Sequence, residues 1–197
     1  MGKIVSITLI MNNQRCLILN WNVRGLNNPA RRSVVRNLVA DTQCTIATIQ
    51  ETKMAQMDAQ IVNETLGQQF TENFVCLPAQ QTRGGVLLAV HEDHYKIKQI
   101  LIENFTVSAR IEATRSAIEW WITVVYGPQG DNEKLLFLQE LRQIKQAVSD
   151  KWLVIGDFNM ILSAEDKSNN NLNRRIMGAF RNMVNDLELK ELQLKGS

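Results

Sequence analysis

The stretch Trp152-Leu153-Val154-Ile155-Gly156-Asp157-Phe158-Asn159 constrains this chain more than any other. A short apolar run closed by glycine predicts a buried strand, covered on both faces. The strand ends by delivering a carboxylate and an amide to one point, and Gly156 lets the backbone pass close to whatever sits there. Sheet proteins keep their chemistry at such strand ends. Asp157 and Asn159 also fit a plain loop cap, so the choice between cap and site rests on the remaining residues.

With 197 residues, 45% of them hydrophobic and 21% charged, the chain has room for a sizeable core and is expected to form one domain, 1–197. Disorder is not expected on the same grounds. No run approaches the roughly 18 apolar residues that a helix needs to span a bilayer. A net charge of +2 does not announce a nucleic-acid binder, but its distribution is uneven. Lys3, Arg15, Arg24, Arg31, Arg32 and Arg36 precede the first acid, Asp41. A basic face over residues 1–40 is therefore expected to be able to meet phosphates, with an ordinary solvated surface as the alternative.

The same acid-free start loosely fits an organelle transit peptide, against which residues 16–26 read as core strand and site. Met1-Gly2-Lys3-Ile4-Val5-Ser6 fits the short N-myristoylation pattern, which six residues also meet by chance. Cys16, Cys44 and Cys76 lie in apolar contexts without metal-ligand spacing, and read as reduced thiols of an intracellular protein, in cytoplasm or nucleus by default.

In chain order, 3–11 and 16–23 predict two strands around an Asn12-Asn13-Gln14-Arg15 turn, the second ending in Asn22. Asn28-Pro29 signals a helix start. Cys44–Gln50 predicts a buried strand with Glu51 at its end, where a carboxylate needs a cation or a basic partner. Residues 54–68 carry a weaker helical pattern. Strands are expected at 73–77, 85–91, 95–103, 106–113 and 119–126, the last stopping at Tyr126-Gly127-Pro128. Asp131-Asn132 is expected to cap a helix striped by Phe137, Leu141, Ile144 and Val148. After the polar loop Ser163–Asn173, Asn173 is expected to cap a last helix carrying Ile176, Phe180, Val184 and Leu187.

Asn22, Glu51, Tyr126 and Asp157 with Asn159 thus all sit at strand ends. Strands lying side by side and running the same way would gather them in one cleft. Carboxylates and amide oxygens are hard ligands suited to Mg²⁺ or Mn²⁺.

Five motifs carry a resemblance: Trp21-Asn22-Val23-Arg24-Gly25-Leu26, Ile49-Gln50-Glu51-Thr52-Lys53, Arg83-Gly84-Gly85-Val86, Val125-Tyr126-Gly127-Pro128 and Ile155-Gly156-Asp157-Phe158-Asn159. In this order they resemble the endonuclease/exonuclease/phosphatase superfamily, which includes apurinic endonucleases, DNase I and LINE retrotransposon endonucleases. Residues 20–27 and 189–196 are most similar to plant LINE-type elements. The resemblance implies an α/β fold, a four-layer sandwich of two mixed sheets flanked by helices. It also implies Glu51 as metal ligand with Asn22 beside it, Asp157 orienting or deprotonating water, Asn159 holding that arrangement and Tyr126 on the scissile phosphate. The implied reaction is Mg²⁺- or Mn²⁺-assisted phosphodiester hydrolysis.

The family pattern continues with another strand carrying Asp and a final strand ending in Ser-Asp-His, neither of which this chain has. The domain is therefore expected to be truncated, incomplete at its C-terminal end. His91 and His94 lie far in sequence from the site and read as exposed loop residues rather than a metal pair. Lacking groups that act as a unit, the site is expected to be weakly active or inactive. Missing strands also leave edges, so self-association as a homo-oligomer or a protein partner is expected to cover them, with helix 173–188 and the last residues as the contact region. The alternatives are an active Mg²⁺-dependent endonuclease on DNA and a piece of a longer polyprotein.

Overall fold

The computed structural model describes residues 4–11, 14–80, 84–116, 118–148, 151–163, 165 and 173–192. Strands β1 (Ile4–Met11) and β2 (Gln14–Asn22) form an antiparallel hairpin. Helix α1 (Pro29–Thr42) leads to β3 (Ile46–Gln50), and α2 (Ala59–Leu66) leads through a single 3-10 turn to β4 (Phe74–Leu77) and β5 (Val86–Val90). Then come β6 (Tyr95–Ile102), β7 (Thr106–Ala113), β8 (Glu119–Tyr126), α3 (Asp131–Ala147), β9 (Trp152–Asp157) and α4 (Arg174–Asp186). One sheet has the order β1-β2-β3-β5-β4, the other β6-β7-β8-β9.

Each sheet is antiparallel except for one parallel pair joined by a helix: β2–β3 through α1, and β8–β9 through α3. Parallel neighbours need such a crossover. Alternation along the strands then builds four layers. Ile18, Ile46 and Leu88 meet Val107, Ile122, Val124 and Ile155 between the sheets. Leu19, Trp21, Ile49 and Leu87 pack outward on Val35, Val39, Val62 and Leu66 of α1 and α2. Val125 packs outward on Phe137 and Leu141 of α3 and on Phe180 and Met183 of α4. The expected four-layer α/β sandwich of two mixed sheets is what the chain forms.

Local signals explain most helix starts. Asn28 accepts from the Ala30 N–H at 2.9 Å with Pro29 in the first turn, and Asn173 accepts from Ile176 N–H at 3.1 Å. The helix expected over 54–68 begins only at Ala59, because Asp58 takes the Ile61 N–H at 2.9 Å and starts it there; the Met54 carbonyl instead accepts from Ala79 N–H. Helix α3 is capped by Gly130, not by Asp131-Asn132; Asp131 is already helical, and its carboxylate accepts from Asn173 Nδ2 at 2.6 Å, tying the starts of α3 and α4 together.

Two other expectations are corrected. Strand β9 is covered on both faces, Leu153 and Ile155 by the opposite sheet and Trp152 and Val154 by α3 and α4, but it is not the fully buried strand expected: among the described residues it is the edge of its sheet, and only Ile155 in it is buried. The apolar stripe of α4 is no free contact face either. Ile176, Phe180, Met183 and Leu187 are buried, packing against α3 and the β9 face, while Val184 is half-buried. The last residues 193–197, most of the 163–173 loop, Arg83, Lys3 and the start of the N-myristoylation pattern lie outside the described residues. All three cysteines are free, and burial pushes the Cys44 thiol up to about 12.

A buried carboxylate that the sequence reading passed over closes the turn before β7. Glu140 of α3 accepts from Thr106 Oγ1 at 2.8 Å and from the N–H groups of Asn104 and Phe105, both at 3.1 Å. Burial raises its pKa, and these donors only partly oppose the shift. A carboxyl raised in the folded state holds its proton more tightly there, so its contribution is full below the ordinary carboxylate range and is lost as pH rises through the raised value. Denaturant titrations across that window should therefore show a falling stability that Glu140→Gln flattens. At neutral pH, Glu140→Ala should cost about 1–3 kcal/mol by leaving buried donors unpaired.

Candidate functional site

Residues two apart on a strand share a face, and along four strands the face between the sheets changes character near the end. In β2, Cys16 and Ile18 give way to Asn20 and Asn22; in β3, Ile46 gives way to Thr48 and Gln50. In β8, Ile122 and Val124 give way to Tyr126, and in β9, Ile155 gives way to Asp157. Because β2–β3 and β8–β9 are parallel, with Asn22 opposite Gln50 and Tyr126 opposite Asp157, each pair ends at the same pole. Beneath the site the polar layer is closed: Asn20 Oδ1 accepts from Gln50 Nε2 at 2.6 Å and from Thr48 Oγ1 at 2.8 Å.

The two sheets meet through Asn22 and Asp157, 135 residues apart in sequence, where Asn22 Nδ2 donates to Asp157 Oδ2 at 3.4 Å. Asp157 Oδ1 accepts from the Asn159 N–H at 3.0 Å. With its amide turned that way, Asn22 Oδ1 is buried and has no hydrogen-bond partner among the described residues. An orphaned buried acceptor costs about 1–3 kcal/mol and calls for a ligand.

Glu51 follows β3 directly, in the left-handed region at φ 56°, and its carboxylate lies 3.2 Å from Lys53 Nζ. Arg24, Lys53 and Asn159 share that uncommon backbone region, so strain gathers at this pole. Tyr126 is held against the acids: burial first, then the charges of Glu51 and Asp157, push its phenol up, so it remains an O–H donor at neutral pH. Gly84 is the spacer between these groups. A Cβ there would lie 2.8 Å from Tyr126 Cε1 and 3.0 Å from Glu51 Cγ.

Asn159 serves the turn rather than the open cleft. Its Nδ2 donates to the Gly127 carbonyl at 2.5 Å, while Gly127 N–H donates to the Asp157 carbonyl at 2.7 Å. These bonds lock the loop after β9 to the loop after β8 and fix where Asp157 points. Gly156 has a related reason. At φ 136°, a Cβ on it would lie 2.1 Å from the Val125 carbonyl oxygen, so the close neighbour is the adjacent strand.

The donor set fits a hard divalent cation. Asn22 Oδ1 wants a partner, and the Glu51 carboxylate on the neighbouring strand end already attracts a cation in Lys53. Among the described residues no group of three His, Cys, Asp or Glu forms a metal cluster. Mg²⁺ suits so sparse a set, because it keeps several waters and takes only one or two carboxylates.

His91 and His94 are not part of this site. Strand β5 runs antiparallel to β3, so its end carries both histidines to the opposite pole, with ring centroids 5.0 Å apart. Several N-terminal basic residues are also occupied. Arg31 donates to the Val23 carbonyl at 2.9 Å, Arg32 donates to the Leu26 carbonyl at 2.8 Å and pairs with Glu64, and Arg36 donates to the Asn63 carbonyl. Arg31 and Arg32 brace the loop that follows Asn22, and Arg36 ties α1 to the last turn of α2.

The family model for endonuclease/exonuclease/phosphatase proteins matches residues 19–188. The chain belongs to this family. Solved structures agree in fold. The catalytic domain of human nocturnin matches with TM-score 0.56 and 15% identity, over 78% of this chain and 67% of that one. A Bacteroides thetaiotaomicron endonuclease/exonuclease/phosphatase family protein matches with TM-score 0.55 and 10% identity, over 91% and 69%. A mannosyl-6-phosphatase from the same organism matches with TM-score 0.55 and 12% identity, over 81% and 67%. This chain spans about two thirds of their length, and at such identities the likeness is one of fold. Among curated proteins no match is found.

Within this endonuclease/exonuclease/phosphatase domain, the residues singled out from sequence stand together: Asn22, Glu51, Tyr126, Asp157 and Asn159 all lie at one pole. Lys53, the Asn20–Thr48–Gln50 layer and the spacing role of Gly84 were missed. Alternation in Asn20-Trp21-Asn22 and in Thr48-Ile49-Gln50 was the available signal, since polar residues two apart in buried strands mark one face.

Proposed function

We propose that this chain is a LINE-type, retrotransposon-derived endonuclease-like domain that keeps the metal-holding half of a phosphodiester-hydrolysing site, cleaves weakly or not at all by itself, and acts through self-association or a protein partner. The single observation that carries the metal half is the buried, unpartnered Asn22 Oδ1 beside Glu51. In this reading Glu51 and Asn22 would hold Mg²⁺ or Mn²⁺, and the cation would supply neutralisation of charge on the phosphate and leaving oxygen. Asp157, oriented by Asn22 and the Asn159 N–H, takes a proton from the attacking water. Tyr126 donates its O–H to a phosphate oxygen. Asn159 is a positioning residue, acting through the Gly127 carbonyl.

The weak-activity part is supported by the histidines, both at the far pole, which leaves the described site without an imidazole to protonate a leaving group. The association part is supported by β9, an edge strand whose only sheet neighbour among the described residues is β8. Sedimentation velocity should show dimers or larger species rather than a monomer at micromolar concentration; a persistent monomer counts against self-association. The second reading, an active Mg²⁺-dependent endonuclease on DNA, is favoured by the convergence of Glu51, Tyr126 and Asp157. Nicking of supercoiled DNA in Mg²⁺ separates the two: cleavage by the parent that both Glu51→Gln and Asp157→Asn abolish supports the enzyme, and no cleavage by any of them supports the interaction role.

A further inference from the structure

At the pole opposite the strand-end site lies a cavity of about 550 Å³, between the start of β2, the ends of α1 and α2, and the turn joining β5 to β6. That volume falls within the usual range for small-molecule sites. Arg15, Arg36, His91 and His94 line it together with Gln43 and Gln69, and among its described lining residues none is acidic. Both histidines of the chain are here. Phe70 meets the His91 ring edge-on at 5.5 Å, and the two imidazoles meet edge-on at 5.0 Å, so an aromatic wall stands beside the cations.

We infer that this cavity is a second binding site, for a small phosphate-bearing ligand of nucleoside-monophosphate size. Guanidinium groups match phosphate oxygens in bidentate geometry, and the imidazole rings, His91 backed by buried Phe70, suit a flat base. The C-terminal ends of α1 and α2 also point here, each presenting roughly half a negative charge. Part of the basic lining answers them, since Arg36 donates to the Asn63 carbonyl in the last turn of α2. Arg15 adds a second guanidinium to the lining. Asp93, in the same turn as the histidines, sets its carboxylate 4.0 Å from His91 Nδ1, and burial first, then the charges of His91 and Arg115, hold the His94 pKa below its ordinary value against the pull of Asp93. An arriving phosphate would meet the guanidiniums and the imidazole edges.

The site is distinct from the strand-end pole. Asn22 lies seven residues beyond Arg15 along β2, roughly 23 Å at strand rise. The inference therefore stands apart from the proposed nuclease reading.

Proton NMR of the imidazole C–H groups tests it, because both histidines report on the cavity and no others exist in the chain. The full chain, in EDTA and at fixed ionic strength, is titrated with inorganic phosphate and separately with adenosine 5′-monophosphate. Both imidazoles are expected to shift saturably with a dissociation constant of about 1 mM or tighter. Arg15→Glu should weaken the effect at least ~10-fold. The Glu51→Gln/Asp157→Asn pair should leave it unchanged. No shift with either probe up to ~20 mM, far above that constant, overturns the proposal. So does a shift that persists in Arg15→Glu, or one that the strand-end pair removes. Arg15 is exposed on the hairpin, and Arg15→Gln serves in its place should the charge reversal fail to fold.

Discussion

Gly156→Ala is expected to destabilise the protein by about 3 kcal/mol or more, which for a chain of this size lowers the melting temperature by roughly 6–12 °C. The methyl group has no room. It would stand 2.1 Å from the Val125 carbonyl oxygen and 3.0 Å from the Val125 N, all fixed backbone of the paired strand β8. Nor can the residue turn aside, because φ at 136° is a region that a side chain rarely adopts. The strain falls on the only hydrogen-bonded neighbour that β9 has among the described residues, so relief by shifting the strand would undo the β8–β9 register and displace Asp157. Thermal melts read the loss. Gly178→Ala is the control: a Cβ there meets nothing within 4 Å, and helix propensity favours alanine. Equal losses in the two variants would mean that the β9 contact is not what matters.

Mg²⁺ or Mn²⁺ is expected to stabilise the folded chain through Asn22 and Glu51. At a metal concentration of 100 times its dissociation constant, linkage gives about 2.7 kcal/mol, or roughly 5–11 °C in melting temperature. Glu51→Gln removes the carboxylate and should abolish most of this shift. Asn22→Leu should do likewise, and in metal-free buffer loss of the orphaned Oδ1 offsets part of the lost Nδ2 bond to Asp157, so the substitution should cost less there than with metal present. A larger cost of Asn22→Leu with metal than without it is the signature of an acceptor kept for a cation. If metal shifts parent and Glu51→Gln equally, the cation binds elsewhere. Lys53 adds a competing term: its ammonium is 3.2 Å from Glu51, so Lys53→Met should tighten metal binding.

These effects separate what was legible from what was not. The elements could be read because their signals are local. Asn28-Pro29 and Asn173 mark helix starts through side-chain bonds reaching two or three residues, and the apolar runs at 86–90 and 119–126 are strands of the expected length. The residues that converge at one pole could be picked out because Asn22, Glu51, Tyr126 and Asp157 end apolar runs, where an acid or amide calls for a partner. Misreadings arose where a neighbour in space overrules the local pattern. Trp152–Ile155 reads as a fully buried strand and is mostly half-buried, since hydrophobicity records a need for cover and not the number of strands that provide it. Glu140 reads as surface charge on α3, because its partners are backbone groups of a turn that sequence does not place nearby.

Sequence by itself determined the order of strands and helices, the family and the residues at strand ends, since these depend on periodicity and on motifs a few residues long. Only the tertiary structure decided that the two parallel pairs stack with their ends at one pole. It alone turned the Asn22 amide toward Asp157 and left Oδ1 without a partner, and it alone gathered Arg15, Arg36 and both histidines around the opposite cavity. The reason is geometric: a side chain's partners are set by which strand lies across the sheet interface, and that distance bears no relation to distance along the chain.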